Sequence, residues 1–165
     1  QAVRLDPVVT ERIPNQQIVQ FGQENTPWPI IEQMIRLMNL TPEDTVADLG
    51  CGDGRVLIAA STMTGCRGIG VEIDKEKCEQ AIRNVREAGL SAKITIINGD
   101  VLEFEPSLHK TTAITAYLYP DLLEKISAKF YSVRVAATPY HRVPNLKMEQ
   151  HGDVWIFRSD SHPVK

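Results

Sequence analysis

What this chain lacks narrows what it can be. No apolar run among its 165 residues approaches the roughly 20 needed to cross a bilayer as a helix, so no membrane-spanning helix is predicted. No dense lysine or arginine run occurs, and the formal net charge is −3. Nucleic-acid binders usually present a basic face, so nucleic acid is not the expected partner. Cysteine is scarce. Cys51, Cys66 and Cys78 are an odd number without metal-ligand spacing, which predicts reduced core residues of a cytoplasmic protein and no structural metal. There are no repeats, no low-complexity tracts and no Gly- or Pro-rich linker, so one domain and a monomer are expected. The chain begins at Gln1 without a methionine, which suggests that an upstream segment was removed.

What is present fits a folded domain. Apolar residues make up 42% of the chain and charged residues 24%, enough for a core within an ordinary charged surface. Residues 1–25 carry Pro7 and Pro14 and little periodicity; they read as an N-terminal arm with one short helix around residues 15–20. The main domain is assigned to residues 26–165. It opens with "TPWPIIEQMIRLMNL", where Thr26 is expected to cap a helix and Pro27 suits its first turn. Ile30, Ile31, Met34, Ile35 and Met38 recur at helical spacing.

Strands and helices then alternate. "TVADLG", "RGIGVEID", "KITIING", "TTAITAYLYP" and "SVRVAATPY" read as strands. "RVLIAAST", "KEKCEQAIRNVREAG" and "PDLLEKISAKF" read as helices between them. In the second of these helices Cys78, Ala81, Ile82 and Val85 are assigned to the buried side and Gly89 to the C-terminal cap. The end of the chain reads as a hairpin turning at His151-Gly152-Asp153. Strands separated by helices give βαβ units, hence an α/β fold with a mostly parallel sheet closed by an antiparallel hairpin. Ligands of such sheets sit beyond the carboxyl ends of the strands, near the point where strand order reverses. Residues 48–54, 72–74, 99–101 and 117–120 are therefore predicted to build the site.

The stretch "VADLGCGDGR" carries the first chemical signal. Gly50, Gly52 and Gly54 alternate, and Arg55 stands where a dinucleotide fingerprint would have its last glycine. The Gly-Lys-Ser/Thr ending of a phosphate loop is absent. Asp48 ends the preceding strand, where a carboxylate repels pyrophosphate and suits a cationic amino group. Glu72 ends the second strand, 18 residues after Gly54, and an acid there can accept two hydrogen bonds from ribose hydroxyls. Asp100, in "NGDVLEF", ends the third strand. It can accept from an adenine amino group while the Val101 amide donates to the ring; the alternative is a residue that merely closes an Asx turn.

These three segments, "VADLGCGDGR", "GVEID" and "NGDV", in this order and spacing, resemble those of the class I S-adenosylmethionine-dependent methyltransferases. The resemblance covers about residues 26–160. It implies a Rossmann-like three-layer sandwich around a seven-stranded sheet whose last strand is reversed. It also implies that Gly50, Cys51, Gly52 and Gly54 line the methionine part of S-adenosyl-L-methionine. Asp48 would lie near the donor's amino group, Glu72 on the ribose, with Ile73 beside it, and Asp100 and Val101 on the adenine. Within that family, "TP" before a helix, "DLGCGDGR" and an aromatic "YLYP" look most like the small single-domain protein-lysine methyltransferases. Two departures stand out. Phe21 is the nearest aromatic ahead of Thr26-Pro27, where that group often has a tyrosine. The fifth strand ends in Ala137, Thr138, Pro139 and Tyr140, where the group tends to Ser-His-acid-Phe.

Acceptors approach beyond the fourth strand in this fold. Enzymes of the class that methylate nucleic-acid amines usually carry Asn/Asp-Pro-Pro-aromatic there; this chain has Tyr117-Leu118-Tyr119-Pro120. The two tyrosines can shape a channel for an alkylamine, with Tyr117 as the inner one if strand alternation continues. His141 is a weaker candidate for a base, and Trp28 either closes over the donor or anchors the first helix. The expected function is N-methylation of a protein lysine. A small-molecule methyltransferase and a non-catalytic nucleoside-binding scaffold are the alternatives, with a nicotinamide dehydrogenase as an outside reading.

Overall fold

The computed structural model describes residues 25–159. Residues 1–24 of the arm, with the helix expected around residues 15–20 and Phe21, lie outside the described residues. The first helix, α1, is Trp28–Met38. It is followed by β1 (Thr45–Leu49), α2 (Arg55–Thr64), β2 (Arg67–Glu72), α3 (Lys75–Glu87), β3 (Ile94–Asn98) and β4 (Ala113–Ala116). Then come α4 (Pro120–Lys125), a 3-10 turn at Ser127–Ser132, β5 (Val135–Pro139), β6 (Glu149–His151) and β7 (Val154–Arg158). The seven strands form one sheet in the order β3-β2-β1-β4-β5-β7-β6. Pairs from β3 to β5 are parallel, and β7 runs antiparallel to both of its neighbours. The expected mixed sheet, with its reversed last strand and a turn at Gly152, is the one observed.

Successive strand residues point to opposite faces, so an apolar strand feeds two cores. Val46, Ala113 and Val135 pack with Ile31, Met34 and Leu57 on one side. Ala47, Ile114 and Ala136 pack with Leu123, Ile126 and Phe130 on the other. Strand order reverses between β1 and β4, the two central neighbours. Their carboxyl ends mark the crevice in which such folds bind ligands.

Four local expectations are corrected. Thr26 does not cap α1: Pro27 occupies the cap position with no side-chain bond, and the Thr26 carbonyl instead accepts from the Arg55 guanidinium at 3.3 Å. Ile82 is 41% exposed, and Asn84 takes its place on the buried side of α3, because its amide donates to the Asp53 carbonyl at 2.9 Å. The fourth strand stops at Ala116, so Tyr117 and Tyr119 lie beyond it and strand alternation does not orient them. The helix after it is short, because the chain tightens into the 3-10 turn that buries Phe130. Gly89 does stand just past the end of α3, with φ 74°.

Candidate active site

The loop after β1 is shaped by its glycines. Gly50, Gly52 and Gly54 have φ of 81°, 56° and 88°. Gly52 matters most for a ligand: a Cβ there would strain the backbone, yet it would meet nothing within 4 Å, so the loop presents open space above it. From below, the loop is stitched to the neighbouring strand. The Gly50 and Cys51 amides both donate to the Val71 carbonyl, at 2.8 and 3.0 Å. Cys51 is buried against Gly70, where a Cβ would fall 2.7 Å from its Sγ. Burial, then the Asp48 and Glu72 carboxylates, push the Cys51 thiol far up, so it stays protonated and packs as an apolar group.

Asp48, the penultimate residue of β1, is buried, with the hydroxyl of Thr115, its partner across β4, donating at 2.8 Å. Burial raises its carboxyl to about 7 against that hydrogen bond, with the Glu72 and Asp53 charges adding to the rise. A buried carboxylate of this kind is suited to a cation.

Glu72 is only 2% exposed. One of its oxygens accepts from the Gly52 amide at 2.8 Å and the other from the Asp74 amide at 3.0 Å. Each carboxylate oxygen has a second acceptor direction, so both can take a further donor from a diol. The Asn98 side chain bridges the Glu72 and Ile73 carbonyls at 2.9 and 3.1 Å, which locks the ends of β2 and β3 together. Ile73 beside it is 69% exposed, an apolar surface at the mouth of the site. Asp100 closes an Asx turn, with one oxygen accepting from the Leu102 amide at 2.9 Å. Its other oxygen remains available to a ligand, and Val101 is buried behind it.

The glycine loop is tied to the start of α1 by a residue read from sequence only as a missing glycine. Arg55 is buried, paired with Asp53 at 3.4 Å, and lies 5.8 Å above the Trp28 ring. Trp28 thereby anchors α1 to the core. Burial raises the Asp53 carboxyl, opposed by Arg55.

Beyond β4, Tyr117 is half-buried and Tyr119 is 57% exposed. The Tyr117 ring sits 5.5 Å from Tyr140, and Tyr119 sits 6.4 Å from His141. Tyr140 was legible only as the last residue of an apolar strand; nothing in its spacing points to Tyr117. No group of acids, histidines and cysteines among the described residues is placed to hold a metal ion. No helix among them is long and apolar enough to cross a membrane.

Acids at the carboxyl ends of β1 and β2 and after β3, around a glycine loop on this sheet, define a class I S-adenosylmethionine-dependent methyltransferase. The comparisons with known proteins agree. This chain belongs to the family described as the ANTKMT methyltransferase domain, whose model matches residues 48–138. A protein-lysine N-methyltransferase of Saccharolobus islandicus is 31% identical over 105 residues, 63% of this chain and 64% of that protein. A ribosomal protein L11 methyltransferase of Pelotomaculum thermopropionicum is 31% identical over 74 residues, 45% of this chain but 22% of that protein. The matches thus span less than two thirds of either curated relative. In structure, an RNA methyltransferase from Salinibacter ruber in complex with S-adenosyl-L-homocysteine superposes with a TM-score of 0.76 at 27% identity. That match covers 86% of this chain and 98% of the other.

Proposed function

We propose that this protein N-methylates a lysine side chain of a protein, using S-adenosyl-L-methionine. The observation that carries this reading is the aromatic surface beyond β4. Tyr117 pairs with Tyr140, and Tyr119 stands by His141, in the place where amine-methylating nucleic-acid enzymes have Asn/Asp-Pro-Pro-aromatic. Ring faces attract an alkylammonium, the form in which lysine arrives. The likeness to the Saccharolobus islandicus lysine methyltransferase supports the same acceptor.

The residues described support the following donor-side roles. Asp48 holds the donor's ammonium. Glu72 takes the ribose hydroxyls, with Ile73 beside it. The remaining Asp100 oxygen and the Val101 amide hold the adenine, and Gly50, Cys51, Gly52 and Gly54 form the floor. Bound there, S-adenosylmethionine supplies a methyl group already activated for in-line transfer to a lone pair. The chain's remaining tasks are to align the amine, exclude water and accept the lysine proton, since the charged amine has no lone pair. Tyr117, Tyr119, His141 or a water they hold is within the same aromatic patch as the arriving amine.

The Salinibacter ruber neighbour favours a second reading, an RNA acceptor. One experiment separates the two. The protein is incubated with tritiated donor and cell lysate, and the products are digested with protease or with ribonuclease. Protease-sensitive, ribonuclease-resistant label is expected. Label lost to ribonuclease, or label found only in small molecules, refutes the lysine reading.

A further inference from the structure

Tyr140 has a left-handed backbone, with φ 67°. The other non-glycine residues of this kind are easily explained: Asn39 and Lys110 end helical turns, and Asn145 is of a type that tolerates this region. Tyr140 directly follows β5 and carries a bulky ring. Its surroundings over-determine it. Its amide donates to the Asp153 carbonyl at 2.6 Å, and its carbonyl accepts from the Trp155 indole at 3.3 Å. The next amide, of His141, folds back on the Pro139 carbonyl at 2.7 Å, and the Thr138 hydroxyl donates to the His141 carbonyl at 2.7 Å. Arg142 covers the Trp155 ring at 5.2 Å. Strain of this sort persists where a structure needs the strained group in place. A glycine would meet every one of the backbone contacts without strain. What the tyrosine adds is a ring, 38% exposed, tilted 54° against Tyr117 at the carboxyl ends of β4 and β5.

Resting on the lysine reading above, we infer that Tyr140 is an acceptor-selecting residue: its ring and that of Tyr117 form the two walls that receive the cationic alkylamine. The strained turn delivers that ring to the carboxyl ends of β4 and β5. This sets the function of the ring against the comfort of the backbone, so one substitution separates them. In Tyr140→Gly the backbone relaxes while the wall is lost; in Tyr140→Phe the wall is kept.

The test uses the purified protein, tritiated donor and unfractionated lysate protein as acceptor. Each variant is characterised by the lysate concentration giving half-maximal incorporation, the maximal rate, the affinity for S-adenosylhomocysteine by calorimetry, and the melting temperature. Tyr140→Gly is expected to stay folded and to bind S-adenosylhomocysteine as the wild type does. It should need about fivefold more acceptor or beyond, the scale of a lost cation–ring contact. Tyr140→Phe keeps the ring, so its half-maximal acceptor concentration should lie nearer the wild type's than the glycine variant's. The inference is overturned if the glycine variant saturates like the wild type, if it melts lower and loses donor affinity in parallel, or if the phenylalanine variant behaves like the glycine one. A wild-type protein that labels no protein at all overturns the lysine reading itself, and does so before any variant is compared.

Discussion

Two carboxylates in this site work in opposite ways, and the residue is the scale at which that shows. Glu72 accepts from the Gly52 and Asp74 amides and so shapes the loop, and the function proposed above puts the ribose on the acceptor directions that remain. Replacing it with alanine removes charge-assisted hydrogen bonds of about 1.5–3 kcal/mol each. Glu72→Ala should therefore weaken S-adenosylhomocysteine binding by about tenfold to a hundredfold in calorimetry; unchanged binding would mean that the ribose lies elsewhere. Asp48 has one hydroxyl donor and a carboxyl raised by burial to about 7. Without donor, the unfolded chain ionises this group near 3.8 while the folded chain keeps it protonated. Stability then falls as pH rises between those values and levels off above the higher one. A cationic amino group reverses the preference by favouring the carboxylate. Donor affinity should accordingly rise between about pH 5.5 and 7, a range in which an α-amino group stays charged, with proton release on binding that disappears at higher pH. Calorimetry in buffers of different ionisation enthalpy measures this, and Asp48→Asn should abolish the release. Asp48, Glu72 and the glycines were legible in the sequence because strand ends and turns are local patterns. Thr115 was not, since its bond to Asp48 is set by the register of β1 on β4.

Elements meet through residues that periodicity misassigns. The start of α1, the glycine loop and α3 converge on Asp53 and Arg55: Thr26 and Trp28 on one side, the Asn84 amide on the other. Sequence spacing put Thr26 at a cap and Ile82 in the core because each fits a local rule. Two buried groups override these rules: the Arg55 guanidinium recruits the Thr26 carbonyl, and the Asp53 backbone carbonyl recruits the Asn84 amide. Breaking a buried pair such as Asp53–Arg55 costs more than having it gains, because one charge is left uncompensated, typically by about 3–5 kcal/mol. Arg55→Met should destabilise the protein by that order in urea unfolding, and adding Asp53→Asn should restore much of the loss. A double variant no more stable than the single would show that the cost lies in Arg55's packing on Trp28 instead of in the stranded charge.

Across the described residues, the sheet gathers the candidate site at one end and cross-strand stapling at the other. The carboxyl ends of β1, β2 and β4 carry Asp48, Glu72 and the tyrosines. At the amino ends, Asp44 just before β1 accepts from the Thr112 hydroxyl at 2.6 Å and from Arg134 at 2.6 and 3.0 Å, tying the entrances of β1, β4 and β5. Arg134 also donates to the Asn39 carbonyl, which draws in the end of α1. This staple was invisible in the sequence: Asp44, Thr112 and Arg134 are distant in the chain and become neighbours only through the strand order. Burial pushes the Asp44 carboxyl up, but the bonds from Arg134, Thr112 and the Thr41 amide outweigh it and hold the group below its ordinary 3.8. Its contribution is then present above that value and lost as pH falls through the lower folded one. Arg134 is about a third exposed, so solvent screens part of the pair. Arg134→Met should cost about 1–2 kcal/mol near neutral pH, the range of a partly screened charged hydrogen bond, and the loss should shrink in acid as Asp44 protonates. The affinity for S-adenosylhomocysteine should stay at the wild-type value, because the staple and the donor loop occupy opposite ends of β1. Urea titrations at neutral and acid pH, paired with calorimetry, check both halves. A fall in donor affinity equal to the fall in stability would mean that the two ends of the sheet are coupled and that the site depends on the staple.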